Sequence, residues 1–232
     1  MSSVSNWAAR LGAVAAAAFV GGPLLAHLQV LSALHGFVLF GVGGLLSLVT
    51  TIVGLVGAFR GGFSAARAGL VTGLVLTAVF ILSAARSGNV PRINDITTDV
   101  SNPPKFVHAQ TLEANRSRDM SYPGESFAQQ QQAGYPNLAP LRLAAPPDDV
   151  FKRIETVARQ HHDWQLTRVD PSTRTLEGIA TTFLFRFQDD FVVEVRSEES
   201  GSVVQMRSKS RDGKGDVGAN AARIEALFAE LR

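Results

Sequence analysis

The 232-residue sequence contains no cysteine. Disulfides, thiolate nucleophiles and Cys-ligated zinc are therefore excluded, although the absence does not fix a compartment. Acidic residues and lysines are missing from its first third. Arg10, Arg60 and Arg67 are the only ionised side chains before Arg86, and all 20 acidic residues come after it. The averages of 46% hydrophobic and 18% charged residues thus blend two unlike regions. The second region holds 19 of the 22 basic residues (22 − 3) against 20 acids, a balance of −1. Such a region has no basic footprint for nucleic acid, and no nucleic-acid partner is expected.

The charge-poor region reads as a three-helix transmembrane region, residues 1–88, integral to a membrane. Its apolar runs cover about 7–28, 36–59 and 68–84. The second is uncharged and exceeds the roughly 20 residues that cross a hydrocarbon core. The first is interrupted by Gly21-Gly22-Pro23, and a cleaved signal peptide is its rival reading. Apolar character continues past Pro23 through Leu24 and Leu25 to Val30 and Leu31, which favours a retained helix. Glycines at 43, 44, 54, 57, 69 and 73 predict close helix packing. No Asp, Glu or Lys lies inside a span, which argues against a transporter or pump. The segment 60–67 carries two arginines, while the first turnaround, flanked by His27 and His35, carries none. Positive-inside logic puts Arg10, Arg60 and Arg67 in the cytoplasm and the C-terminal part outside. The expected location is a bacterial inner membrane with a periplasmic C-terminal domain.

Residues 89–145 read as a Pro-bounded loop and connector that dock on the following domain. Pro91 and Pro103-Pro104 bracket a polar core of Asn94, Asp95, Thr97, Thr98 and Asp99. Pro disfavours helix interior and central strand, so this stretch is extended or turning. Asn, Asp and Thr there make either a chain of local turns or a ligand-facing loop. Residues 107–140, with the run Gln129 to Gln132, read as a connector with one short helix near Gln110 to Asn115.

Residues 146–232 predict an α+β domain of order α-β-β-β-β-α, an antiparallel sheet with helices on one face. Pro146-Pro147-Asp148-Asp149 opens a helix with Val150, Phe151, Ile154, Val157 and Ala158 on one stripe. Strands follow over 164–169, over 175–187 with Ile179, Thr181, Phe183, Phe185 and Phe187 on one side, from Phe191, and over 203–211. Asp189-Asp190 reads as a turn. A last helix, 218–232, has Ile224, Leu227, Phe228 and Leu231 on its stripe.

V-P-R-I-N-D-I-T-T-D-V-S-N-P-P-K-F, Y-P-N-L-A-P-L (Tyr135 to Leu141), F-Q-D-D-F-V-V-E-V (Phe187 to Val195) and the block from Met206 to Ile224 stand in one order. In these four blocks the chain resembles the bacterial and chloroplast family called domain of unknown function 1499. It departs at Gln205, where the resemblance implies an acidic residue, and at Lys209, where it implies an aliphatic one. Lumenal plant members imply a domain on the outer side of the membrane. The resemblance implies no established activity.

Four polar clusters are candidates to converge: Asn94, Asp95, Thr98 and Asp99; Asp189 and Asp190; Arg207, Ser208, Ser210 and Arg211; and Asp216, Asn220 and Arg223. Their chemistry fits an Arg–carboxylate clamp through Asp95 or Asp99, a ligand site, or acid–base work, in that order. A bland alternative has Asp216 capping the last helix while Asn220 and Arg223 pair locally. Ser208 and Ser210 lack an activating motif, and the adjacent His161 and His162 lack two-His metal spacing. No catalytic residue, cofactor or metal is assigned. The leading expectation is an envelope binding module with a lipid, apolar ligand or membrane protein as partner. The alternative is a periplasmic hydrolase built on the Asp, Ser and Arg clusters.

Overall fold

The computed structural model describes residues 3–87 and 90–232. Gly88 and Asn89, where the first region was expected to end and the loop to begin, lie outside the described residues. The chain divides into one unit of residues 1–88 with Phe183–Arg186 and another of residues 89–182 and 187–232.

In the first unit, α1 (Ser3–His27), α2 (Ala33–Gly61) and α3 (Phe63–Ser87) are each long and apolar enough to cross a membrane. Gly62, at φ 84°, alone separates α2 from α3, so the segment 60–67 is mostly helical and not a loop. The helices touch where side chains are absent. A Cβ on Gly43 would run into the Phe19 backbone, and one on Gly54 would lie 2.8 Å from Leu70 Cα. Ser47 and Thr77 hydroxyls meet at 3.0 Å between α2 and α3. Polar contacts of this kind hold helices together where lipid offers no hydrophobic drive. The short segment Phe183–Arg186 belongs to this unit, with the Phe185 ring edge-on to Phe37 and Phe40 at 5.3 and 5.6 Å.

The second unit is the expected α+β domain, with an antiparallel sheet larger than four strands. Its elements are β1 (Asp95–Thr97), α4 (Glu125–Gly134), β2 (Leu141–Leu143), α5 (Pro147–Gln160), β3 (Trp164–Asp170), β4 (Thr175–Thr181), β5 (Gln188–Glu198), β6 (Gly201–Ser210) and α6 (Ala219–Leu231). The sheet order is β1-β6-β5-β4-β3, all antiparallel. β1 faces residues 207–209 of β6 and β2 faces 202–204, so the two short strands lie end to end along one edge of β6.

Four sequence expectations change here. The strand through the phenylalanine row stops at Thr181, and Phe183 is 78% exposed in the loop beyond it. Asp189 and Asp190 open β5 and are buried, so they are not a turn. The Gln129–Gln132 run lies inside α4. The short helix near Gln110 is a pair of 3-10 turns, Ala109–Thr111 and Glu113–Asn115.

The apolar stripes of α5 and α6 cover one face of the sheet. Val150, Phe151 and Ile154, with Ile224, Leu227 and Phe228, pack on Leu176, Phe191, Val193, Val204, Met206 and Ile96. A second, smaller cluster of Phe106, Ala109, Met120 and Val192 covers the other face. Val192 lies between Phe191 and Val193 in sequence, so the period-two pleat points it away from the helices. Residues 104–122 therefore form a roof over the face that the helices leave open.

Candidate functional site

The pleat sorts the polar residues between the two faces. Asp95, at 0% exposure, begins β1 on the roofed side. Its Oδ1 accepts from Arg207 Nε at 2.8 Å, and its Oδ2 from Arg207 Nη2 at 2.7 Å and Lys209 Nζ at 2.8 Å. Both cations lie on β6, two residues apart, and so point to one face. The fork of Arg207 matches a carboxylate in two parallel bonds, a geometry that an ammonium does not offer. Arg207 also donates to the carbonyls of Pro104 (3.3 Å) and Met120 (3.1 Å), tying the roof to the sheet. Its guanidinium lies 4.8 Å from the Phe106 ring centre and 5.5 Å from that of Tyr122. Burial, and then the Asp95 charge, push the Tyr122 hydroxyl up to about 12.

Two further carboxylates complete the roofed face. Asp190 receives Arg211 Nε at 3.0 Å and Nη2 at 2.7 Å, Arg118 Nη1 at 3.1 Å and Asn115 Nδ2 at 3.0 Å. Glu177 accepts the backbone N–H groups of Val107, His108 and Ala109 at 3.0, 2.8 and 2.8 Å. An anion facing the free amides of a helical turn satisfies donors that would otherwise be buried bare.

Asp189 faces the other way. Its Oδ2 accepts from Arg223 Nη2 of α6 at 2.6 Å. Arg223 Nη1 donates to Ser208 Oγ (2.8 Å) and Asn220 Oδ1 (2.6 Å). Ser208 Oγ donates to Asn220 Oδ1 at 2.7 Å, and Asn220 Nδ2 donates to Ser210 Oγ at 2.9 Å. Asp216 accepts from Gly218 N at 2.9 Å and Asn220 N at 3.0 Å, fastening the start of α6. Burial raises the Asp216 pKa, its own hydrogen bonds oppose that shift, and the Asp189 charge adds to it. Asn220 and Arg223 thus reach β5 and β6 and are not confined to local pairing.

The four clusters accordingly meet at two places, one per face. Of the loop residues, Asn94 Nδ2 donates to Gly213 O at 2.7 Å. Thr98 continues the β1 pairing, its N–H donating to Met206 O at 2.9 Å and its Oγ1 accepting from Met206 N at 3.0 Å. Asp99 meets an amide in place of a guanidinium: Gln205 Nε2 donates to it at 2.9 Å, and Ser101 and Asn102 N–H groups close an Asx turn on it.

Six residues of this network were not among the sequence candidates: Asn115, Arg118, Gln131, Glu177, Gln205 and Lys209. Gln131 of α4 is 2% exposed; its amide accepts from Thr97 N at 3.0 Å and donates to Thr97 O at 2.6 Å. One side chain thereby acts as a further strand against the outer edge of β1. Lys209 and Gln205, where the chain departs from the pattern it resembles, both bind carboxylates of the loop.

The arrangement offers acceptors and cations, already paired. Ser208 is fully buried and its hydroxyl donates to an amide oxygen, and among the described residues no base is bonded to it to take its proton. His161 lies elsewhere, 3.0 Å from Glu230 Oε1 and stacked on Trp164 at 4.4 Å. Among the described residues no group of three or more His, Asp or Glu is placed to hold a metal. An open hollow of about 450 Å³ lies beside the loop, lined by Thr98, Asp99, Gln131, Gln132, Tyr135 and Leu138 among others.

The family described as "Protein of unknown function (DUF1499)" matches residues 95–231, a stretch that opens on the buried Asp95, and the chain belongs to that family. No curated protein and no solved structure matches it.

Proposed function

We propose that this chain is a membrane-anchored envelope protein that works by binding, with its α+β domain on the periplasmic side of a bacterial inner membrane. Its partner is a lipid, an apolar ligand or another membrane protein. The polar constellation is the clamp that fastens residues 93–99 and the roof to the sheet. One observation carries this reading: Asp95, Asp189 and Asp190 each close on guanidinium groups inside the domain. Groups so committed hold a scaffold, because freeing any of them for substrate would strand its partner. Arg60 in the last turn of α2 and Arg67 near the start of α3 support the cytoplasmic assignment of that end.

The test is purification of the full chain from native membranes in mild detergent, with native mass spectrometry for co-purifying lipid and protein. A stoichiometric companion that survives dilution supports the reading. A bare chain that instead hydrolyses ester or phosphoester probes, with turnover abolished by Ser208→Ala, overturns it in favour of a hydrolase. An alkaline phosphatase fusion after Arg232 should be active, and an inactive fusion would reverse the sidedness.

A further inference from the structure

We propose that the loop between β4 and β5 is a lipid-contacting element, its Phe183 and Leu184 side chains inserting at the headgroup–acyl boundary of the bilayer that this chain's own helices cross. Outside the three helices and the turn joining α1 to α2, four large apolar side chains are exposed among the described residues: Val107, Phe183, Leu184 and Val217. Val107 and Val217 stand alone. Phe183 and Leu184 are adjacent, at 78% and 49% exposure, and Phe183 is the most exposed of the four. Scattered apolar side chains need no explanation, whereas an adjacent pair at the tip of a loop wants an apolar partner.

Three features identify bilayer as that partner. The first is position. The Phe183 carbonyl accepts from Nδ1 of His27, the last residue of α1, at 2.9 Å. Phe185 stands edge-on to Phe37, in the second turn of α2. Within this unit the loop backbone is therefore fixed at the level where two apolar helices end, which is where a bilayer meets water. The second is composition. T-F-L-F-R-F sets aromatic and aliphatic side chains next to Arg186, the mixture found in interfacial anchors, where rings sit at headgroup level and a guanidinium meets phosphate.

The third feature is preorganisation. Thr182 N donates to Phe187 O at 2.8 Å and Phe187 N donates to Thr182 Oγ1 at 2.9 Å, closing the base of the loop. Arg186 takes φ 64°, which completes the turn. The tip is thus held out by its own hydrogen bonds and loses little freedom on entering lipid. Chain length agrees, since only residues 88–94 separate α3 from β1, about 25 Å at full extension. Lipid contact by this loop does not require that the domain also bind a separate partner.

The absence of cysteine makes the test direct. Phe183→Cys, Leu184→Cys and, at the opposite end of β5, Glu199→Cys each give a unique spin-label site in the full chain. The labelled chains are reconstituted into phosphatidylethanolamine–phosphatidylglycerol vesicles, and collision rates with oxygen and with a water-soluble nickel chelate are compared by electron paramagnetic resonance. Lipid insertion gives a ratio of oxygen to nickel accessibility several-fold higher at 183 and 184 than at 199. Equal ratios at all three sites would place the loop in water and overturn the proposal. Exclusion of both reagents at 183 and 184 would mean that protein covers the loop, and it too overturns the proposal.

Discussion

The two faces of the sheet are held by different physics. Beside the Asp189–Arg223 pair, the helix face is an apolar core in which Ile154, Leu176, Phe191, Met206 and Ile224 are fully buried, so most of its stability grows with area removed from water. The roofed face has a small apolar patch and three carboxylates, Asp95, Glu177 and Asp190, buried against cations and amides. Its roof has no regular helix or strand longer than a 3-10 turn, and its amides and carbonyls are satisfied in part by Glu177 and Arg207 of the sheet. The difference matters because an apolar contact degrades gradually when trimmed, whereas a buried ion pair fails when either half is removed.

The sharpest way to break the comparison is at Asp95. Asp95→Ala leaves Arg207 and Lys209 facing each other without a counter-charge, a class of change that costs roughly 3–5 kcal/mol. Arg207→Ala belongs to the same class, because it also removes the donors to Pro104 and Met120. The double variant should lose less than the sum of the two. Lys209→Met should cost far less than either, since the two-bond Arg207 fork survives it. On the helix face Ile224→Val should cost about 0.5–1.5 kcal/mol. Chemical denaturation of the full chain in detergent, followed at Trp164, measures all five. Additive, near-neutral effects at Asp95 and Arg207 would remove the clamp.

A smaller effect is expected at Glu177. Glu177→Gln keeps the shape but turns one acceptor into a donor beside backbone N–H groups that already donate. Losing charge-assisted bonds and opposing donor to donor should cost about 2 kcal/mol. The loss should be local, with hydrogen exchange at 107–109 rising before exchange in the strands. Uniform destabilisation, with those amides still protected, would show that Glu177 does not anchor the roof.

The same contrast explains what the sequence disclosed. Stripes at 150, 151, 154, 157 and 158 and at 224, 227, 228 and 231 are periodic because helices burying one face must be, and so the helix-covered face was legible. The roof has no period: Arg118 sits in a polar stretch, and Gln131 in a glutamine run that reads as low complexity. Their roles depend on contacts such as Gln131 with Thr97 and Arg118 with Asp190, which local sequence does not encode. Asp189-Asp190 reads as a turn because two adjacent acids favour one, yet each finds an arginine on its own side of the sheet. The loop 182–187 continues the alternation of β4 in sequence, and only the Thr182–Phe187 hydrogen bonds reveal that the strand has ended.

The finest test concerns Asp216, where the helix face carries a carboxylate with no cation bonded to it in the described structure. Burial raises its pKa above the ordinary 3.8, so the folded chain holds the proton more tightly than the unfolded chain does. A raised carboxylate contributes stability that is fully present below the unfolded value and is lost as pH climbs through the folded one. The wild-type chain should therefore lose ground to Asp216→Asn as pH rises from about 4 toward 7. Asparagine keeps an oxygen for one of the two amides, Gly218 and Asn220, and carries no charge beside Asp189. At the acid end the variant should be the less stable of the two, having lost one acceptor without any relief of charge. Thermal midpoints of both chains across that range give the difference directly, and it should be the smallest effect of the three. A difference that stays flat, or that favours the wild type more strongly at neutral pH, would mean that the two amide bonds outweigh burial at Asp216. The start of α6 would then be fastened by its carboxylate in the way Asp95 fastens β1, and the contrast between the faces would not extend to this corner.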